Sequence, residues 1–198
     1  AAIVRRGLKF APCRIFPGLP REQEASIFIT CNTARKTPAS IDVYRAQLIA
    51  GDADAIAVKN IVENNDFTIQ LTNGGKRKDH WSLWSISTLF DIYHKGGPTL
   101  LGHILATFKA CWPEPTEPIK AEILTGMVLF FEKYKGRYQL PEFIHKMHST
   151  DMRQLRVKAV YHHQIGGVGM AMAYMRAMQE VYDYKRKTRR LEGRDENE

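Results

Sequence analysis

The sequence predicts a mainly helical α+β chain. An α/β segment with a β-hairpin occupies residues 1–86, and a helical domain follows over residues 87–198. Three observations predict this division. Short apolar runs of strand character occur only in the first part, at 10–16, 67–71 and 80–86. From Ser87 onward the pattern reads almost entirely as helix. The breaks there are glycine and proline clusters, namely Gly96-Gly97-Pro98, Pro113-Glu114-Pro115, Gly136, Pro141 and Gly166-Gly167.

Taken in order, Ile3 to Arg6 read as the tail of a helix that Gly7 ends in a left-handed position. The opening lacks Met, so an upstream segment is expected. A strand over 10–16 leads through Pro17-Gly18 into a helix over 20–31, with Glu22 and Glu24 near its positive end. Thr37-Pro38 supplies a cap and a first-turn proline for a helix that runs to Ala50. Gly51 stops it, and Asp52 caps the next helix, which ends at Asn64 or Asn65. The run FTIQL at 67–71 alternates like a strand, and HWSLWSI at 80–86 is its expected hairpin partner. Between them lies a turn with the basic tip Lys76-Arg77-Lys78. Trp81 and Trp84 read as core or inter-domain anchors. Helices then follow near 87–95, 98–111, 117–135, 140–148, 151–164 and 168–190. Met170, Met172, Met175 and Met178 have helical spacing and read as core.

Composition bounds the function. The 198 residues are 44% hydrophobic and 10% aromatic, enough to build a packed core. Lys and Arg number 29 against 21 acids, which gives a formal charge of +8. Such an excess attracts polyanions, with nucleic acid first among them. Cys13, Cys31 and Cys111 are odd in number, widely spaced and form no CxxC pair, which fits a reducing, cytoplasmic setting. No apolar stretch is long enough to span a membrane, so no membrane partner is expected. There is no P-loop, no H-E-x-x-H and no G-x-S-x-G. His145 and His148, and the adjacent His162 and His163, lack carboxylate or thiolate companions at ligand spacing, so no metal site is assigned.

The first block carries a family resemblance. Glu24-Ala25, Phe28, Asn32, Arg35-Lys36, Arg45-Ala46 and Ala50-Gly51-Asp52 stand in that order. This resembles the ParB-like (sulfiredoxin-like) family, and within it the ParB-like group found in phage and actinobacterial genomes. That group commonly reads E-A-x-x-F-x-x-x-N-x-x-R-K and then R-A-x-x-A-G-D. The close at 181–191, VYDYKRKTRRL, is similar to the group's Tyr-Asn-x-x-Arg-Arg ending. The resemblance implies a truncated ParB-like α/β segment, the rear part of a nucleotide-binding domain, followed by a helical bundle. It assigns phosphate contact to Asn32 and Arg35, with Lys36 beside them. Cys31 stands where the family has Glu, and the opposing Gly-x-x-Arg loop is not in this chain. The chain as it stands is therefore expected to be non-enzymatic and to hold no cofactor. A nucleotide with Mg²⁺ is left to a complete protein.

Residues 20–86 also outline a winged helix-turn-helix, three helices and then a hairpin. Its third helix carries Asp52, Asp54 and Glu63, which phosphate would repel. The wing, Lys76, Arg77 and Lys78, is the better contact. The C-terminal run supplies a second one through Lys185, Arg186, Lys187, Arg189 and Arg190. The leading expectation is a DNA-associated protein of phage or mobile-element type. A nucleotide-dependent ParB-like nuclease or CTPase, of which this is the rear part, is the second. A helical self-assembly or partner-binding protein is the third, and it leaves homo-oligomerisation open.

Overall fold

The computed structural model describes residues 17–33, 39–71, 81–186 and 191. Among them run eight helices and two short strands. These are α1 (Arg21–Thr33), α2 (Ser40–Ile49), α3 (Ala53–Asn64), β1 (Thr68–Ile69), β2 (Ser82–Leu83), α4 (Ile86–Cys111), α5 (Ala121–Lys133), α6 (Leu140–His148), α7 (Met152–Gly166) and α8 (Met170–Asp183). The mainly helical α+β expectation holds. The strand expected at 10–16, the turn expected at 72–79 and the first residue of the strand expected at 80–86 lie outside the described residues.

Local chemistry explains three of the eight described helix starts. The Pro20 carbonyl accepts from the amides of Gln23 and Glu24, and Glu22 and Glu24 sit in the first turn, where the dipole favours them. The Asp52 carboxylate accepts from the Ala55 amide at 2.8 Å, which is the expected cap of α3. Gly51 just before it holds a φ of +72°, a conformation that costs glycine little. Asp151 caps α7 in the same manner, accepting from Arg153.

The strand pair is not a hairpin. β1 and β2 are parallel, with Thr68 opposite Ser82 and Ile69 opposite Leu83. The amide of Thr68 donates to Trp81 O and that of Gln70 to Leu83 O. Residues 70–81 provide the crossover length that a parallel pair needs. Ser82 and Leu83 are both buried, so β2 is covered rather than half-solvated, as parallel strands usually are. An antiparallel wing is therefore absent from the described residues. Trp81 stacks edge-on against Phe67, with ring centroids 5.2 Å apart, and packs on the core. Trp84 does not act as a core anchor, since it is 37% exposed.

The two helices expected at 87–95 and 98–111 form one kinked element, α4. The kink is at Gly96 and at Gly97, whose φ of +68° suits glycine alone. The core runs across residue 86. Val58, Val62, Phe67 and Leu83 belong to the same buried cluster as Leu101, Phe108, Phe130 and Met178. A smaller cluster joins Ile41, Tyr44, Ala55 and Ile86. The expected division at residue 86 thus meets no break in packing. Within the main cluster α5 and α8 approach closely at Gly126. A Cβ there would come 2.7 Å from Tyr174 Cβ and 3.0 Å from Ala171 O. Met175 and Met178 are buried in the same cluster, and Met170 and Met172 pack against it.

The last helix is shorter than expected. α8 ends at Asp183, Tyr184 leaves the helical region, and Lys185 takes a φ of +61°. A tertiary contact accounts for this. The buried Asp183 carboxylate accepts the Leu191 amide through both oxygens at 2.9 Å, which turns the chain back onto the core.

Candidate functional site

Of the candidate site residues, Asn32, Lys185 and Arg186 are among the described ones. Asn32 lies in the last turn of α1 rather than in a turn after it. Arg35, Lys36, Lys76, Arg77, Lys78, Lys187, Arg189 and Arg190 lie outside the described residues. Lys185 and Arg186 are described, and they differ. Lys185 is exposed, its ammonium 5.3 Å from the Tyr184 ring centroid. Arg186 is turned inward. Its guanidinium donates to Glu142 at 3.1 Å and lies 4.6 Å from the Tyr182 ring centroid, with its side chain 17% exposed. A cation paired and stacked in this way holds the chain together rather than waiting for a phosphate.

Arg186 belongs to a polar network at the end of α8. The Tyr182 hydroxyl donates to Glu142 at 3.1 Å and accepts from the Gln139 amide at 2.9 Å. Burial pushes the Tyr182 phenol up. The Gln139 amide and the Arg186 charge pull it back, and Glu142 adds to the rise. Arg137 donates from its guanidinium to Leu191 O at 3.1 Å. Leu191 is thereby held at both its amide and its carbonyl, and its side chain is buried.

Arg137 brings in cations that sequence reasoning passed over. Lys133 ends α5, and Lys135 and Arg137 follow in the connection after it, around Gly136 with a φ of +75°. Tyr134 is buried beneath them, with Lys133 and Arg137 each near its ring, at 5.6 and 5.7 Å from the centroid. The neighbouring acid, Glu132, is engaged by Lys95 at 2.7 Å. Among the described residues neither Lys133 nor Lys135 has an ion-pair partner. The signal for this cluster was in the string Lys133-Tyr134-Lys135-Gly136-Arg137, where cations gather at a helix C-terminus that favours them.

A cleft of about 410 Å³ opens between α6, α7 and α8, lined by Lys146, Thr150, Gln154, Lys158, Glu180 and Tyr184. Within it Lys158 and Glu180 pair with each other. Glu180 takes hydrogen bonds from Lys158 and from His162, the latter at 3.1 Å, and Lys146 donates to Tyr184 O at 2.6 Å. Burial alone would raise the Glu180 carboxyl, but those two hydrogen bonds outweigh it and hold the group below its ordinary value. Cys111 is buried, and burial pushes its thiol up to about 12, where a thiolate nucleophile does not form at neutral pH. His148 contacts Cys111 O and His163 contacts Val168 O. Among the described residues no group of three or more His, Cys, Asp or Glu side chains could hold a metal ion. Among the same residues no helix is long and apolar enough to cross a membrane.

No curated protein and no solved structure matches the chain. One family model does, and it covers residues 5–192. The chain belongs to that family, described as a family of unknown function (DUF6551).

Proposed function

We propose that this protein associates with DNA by gripping the phosphate backbone, without reading sequence. The observation that carries the reading is the end of α5 and the connection after it. Lys133 and Lys135 are exposed and unpaired among the described residues, and Arg137 beside them reaches Leu191. Lys185, also exposed, lies two residues beyond Asp183, which holds the Leu191 amide. The cations of this corner are thus linked through one anchored residue. The net charge of +8 supplies the long-range attraction. The ParB-like resemblance of residues 24–52 points the same way, toward DNA of phage or plasmid type.

A fluorescence-anisotropy titration of labelled duplex DNA against salt tests this. Affinity is expected to fall steeply as salt rises. Replacing Lys133 and Lys135 together by Gln is expected to lower the slope of log affinity on log salt by about one unit for each phosphate no longer neutralised. Stability should hardly change, because exposed cations contribute little to it. Affinity insensitive to salt, or binding untouched by the double substitution, would refute the proposal.

A further inference from the structure

α7 carries two apolar faces, and only one is covered. Met152, Leu155 and Ala159 are 5%, 0% and 0% exposed. Val157, Tyr161 and Ile165 recur every fourth residue and are 66%, 59% and 69% exposed. Steps of four residues drift slowly around a helix, so the three side chains fall within about 80° of its surface. Gln154 and Gln164, both exposed and uncharged, share this face. α7 contains no acid, and most of its cations are already matched. Arg156 pairs with Glu117 at 3.2 Å, and Lys158 and His162 both pair with Glu180.

We propose that a second copy of the chain docks here, α7 against α7, antiparallel about a two-fold axis at Tyr161. The stripe is symmetric about that residue, with Val157 one step before it and Ile165 one step after. A two-fold rotation sets each Val157 on the other copy's Ile165 and each Tyr161 on its own counterpart, as a self-complementary interface requires. Charge agrees with this occupant. The two Arg153 side chains end up roughly 24 Å apart along the axis, well beyond a screening length of about 8 Å. On the other flank the Lys158–Glu180 pairs of the two copies face each other, and each can exchange partners with the other. An acidic partner or a polyanion would find only Arg153 unmatched on this face.

The contact is small. A helix of this length is about 22 Å long and about 10 Å wide, which falls short of the roughly 800 Å² per partner of a standard interface. The dimer is therefore weak and sensitive to concentration.

Sedimentation velocity on the full chain over a dilution series tests the interface. The protein is expected to shift from monomer toward dimer as concentration rises. Tyr161→Glu and Val157→Glu should each weaken association by at least about tenfold, with unchanged melting temperature. Arg153→Gln should leave it nearly intact. In a Cys13→Ser/Cys31→Ser background, Tyr161→Cys should form a disulfide-linked dimer on mild oxidation. Substituting Lys133 and Lys135 should leave the dimer unaffected, which separates this inference from the DNA reading. A monomer at every concentration would overturn the proposal. So would a dimer indifferent to Tyr161→Glu, or a monomer that uses this face to hold anionic vesicles or duplex DNA.

Discussion

Gly126→Ala sets two magnitudes against each other. Alanine is favoured over glycine inside a helix by about 1 kcal/mol. At Gly126, however, the new methyl meets Tyr174 Cβ at 2.7 Å, Ala171 O at 3.0 Å and Met175 N at 3.3 Å. Two of these are backbone atoms and the third is fixed to it, so no side-chain rotation relieves the contact. The α5–α8 pair must separate, and overpacking of this kind costs typically 1–3 kcal/mol. Since nothing nearby can yield, the upper part of that range applies, and the net loss is about 1–2 kcal/mol. Gly102 in α4 is the internal control. A Cβ there meets only Ile61 Cγ2, at 3.9 Å, so Gly102→Ala should gain up to about 1 kcal/mol. Urea unfolding of both variants beside the parent reads the difference directly. Melting temperatures should move in opposite directions, by roughly 2–4 °C per kcal/mol for a chain of this size. A Gly126→Ala protein as stable as the parent would refute the close-approach argument.

Two further outcomes follow from single side chains. The Tyr44 hydroxyl is buried without a hydrogen-bond partner among the described residues, and burial, aided by the Glu63 charge, pushes its ionisation up to about 12. Tyr44→Phe should therefore be neutral or stabilising by up to about 1 kcal/mol in urea midpoint experiments, and a loss larger than that would mean the hydroxyl is satisfied. Glu180 is held below its ordinary value of 4.5, so its contribution to stability is present above that value and is lost as pH falls through its folded one. The stability gap between the parent and Glu180→Gln should be present at neutral pH and close in acid. It should be small, because the side chain is 45% exposed, and a gap unchanged by acidification would count against the assignment.

The helices were legible because their punctuation is local. Asp52, Gly51, Pro141 and Gly167 act on the residues beside them, and each stands at or next to a boundary of the structure. Strand direction was not legible. The alternation of 67–71 and 80–86 is the same whether the second run returns or re-enters, and only the cover over Ser82 and Leu83 decides. The end of α8 was hidden for a related reason. Residues 184–190 read smoothly as helix, and the group that stops them is an amide eight residues past Asp183. α7 shows the limit most plainly. Met152, Leu155 and Ala159 form one apolar row and Val157, Tyr161 and Ile165 another, and periodicity cannot say which row is covered. The candidate site was the least legible part, since Arg186 and Lys185 are neighbours in a basic run yet only one of them faces water.

The clasp between Asp183 and Leu191 has a consequence for how the chain is made. During synthesis α8 can leave the ribosome with its helical hydrogen bonds complete and its apolar side chains ready to pack. Its terminal carboxylate must still wait for an amide that emerges eight residues later. Arg137, translated long before, waits for the carbonyl of the same residue. The contacts that Asp183 and Arg137 make with Leu191 therefore form only after residue 191 has emerged. A ribosome that stops at residue 186 has already made every described helix, with this lock still open. The family match ends at residue 192, one position past that lock.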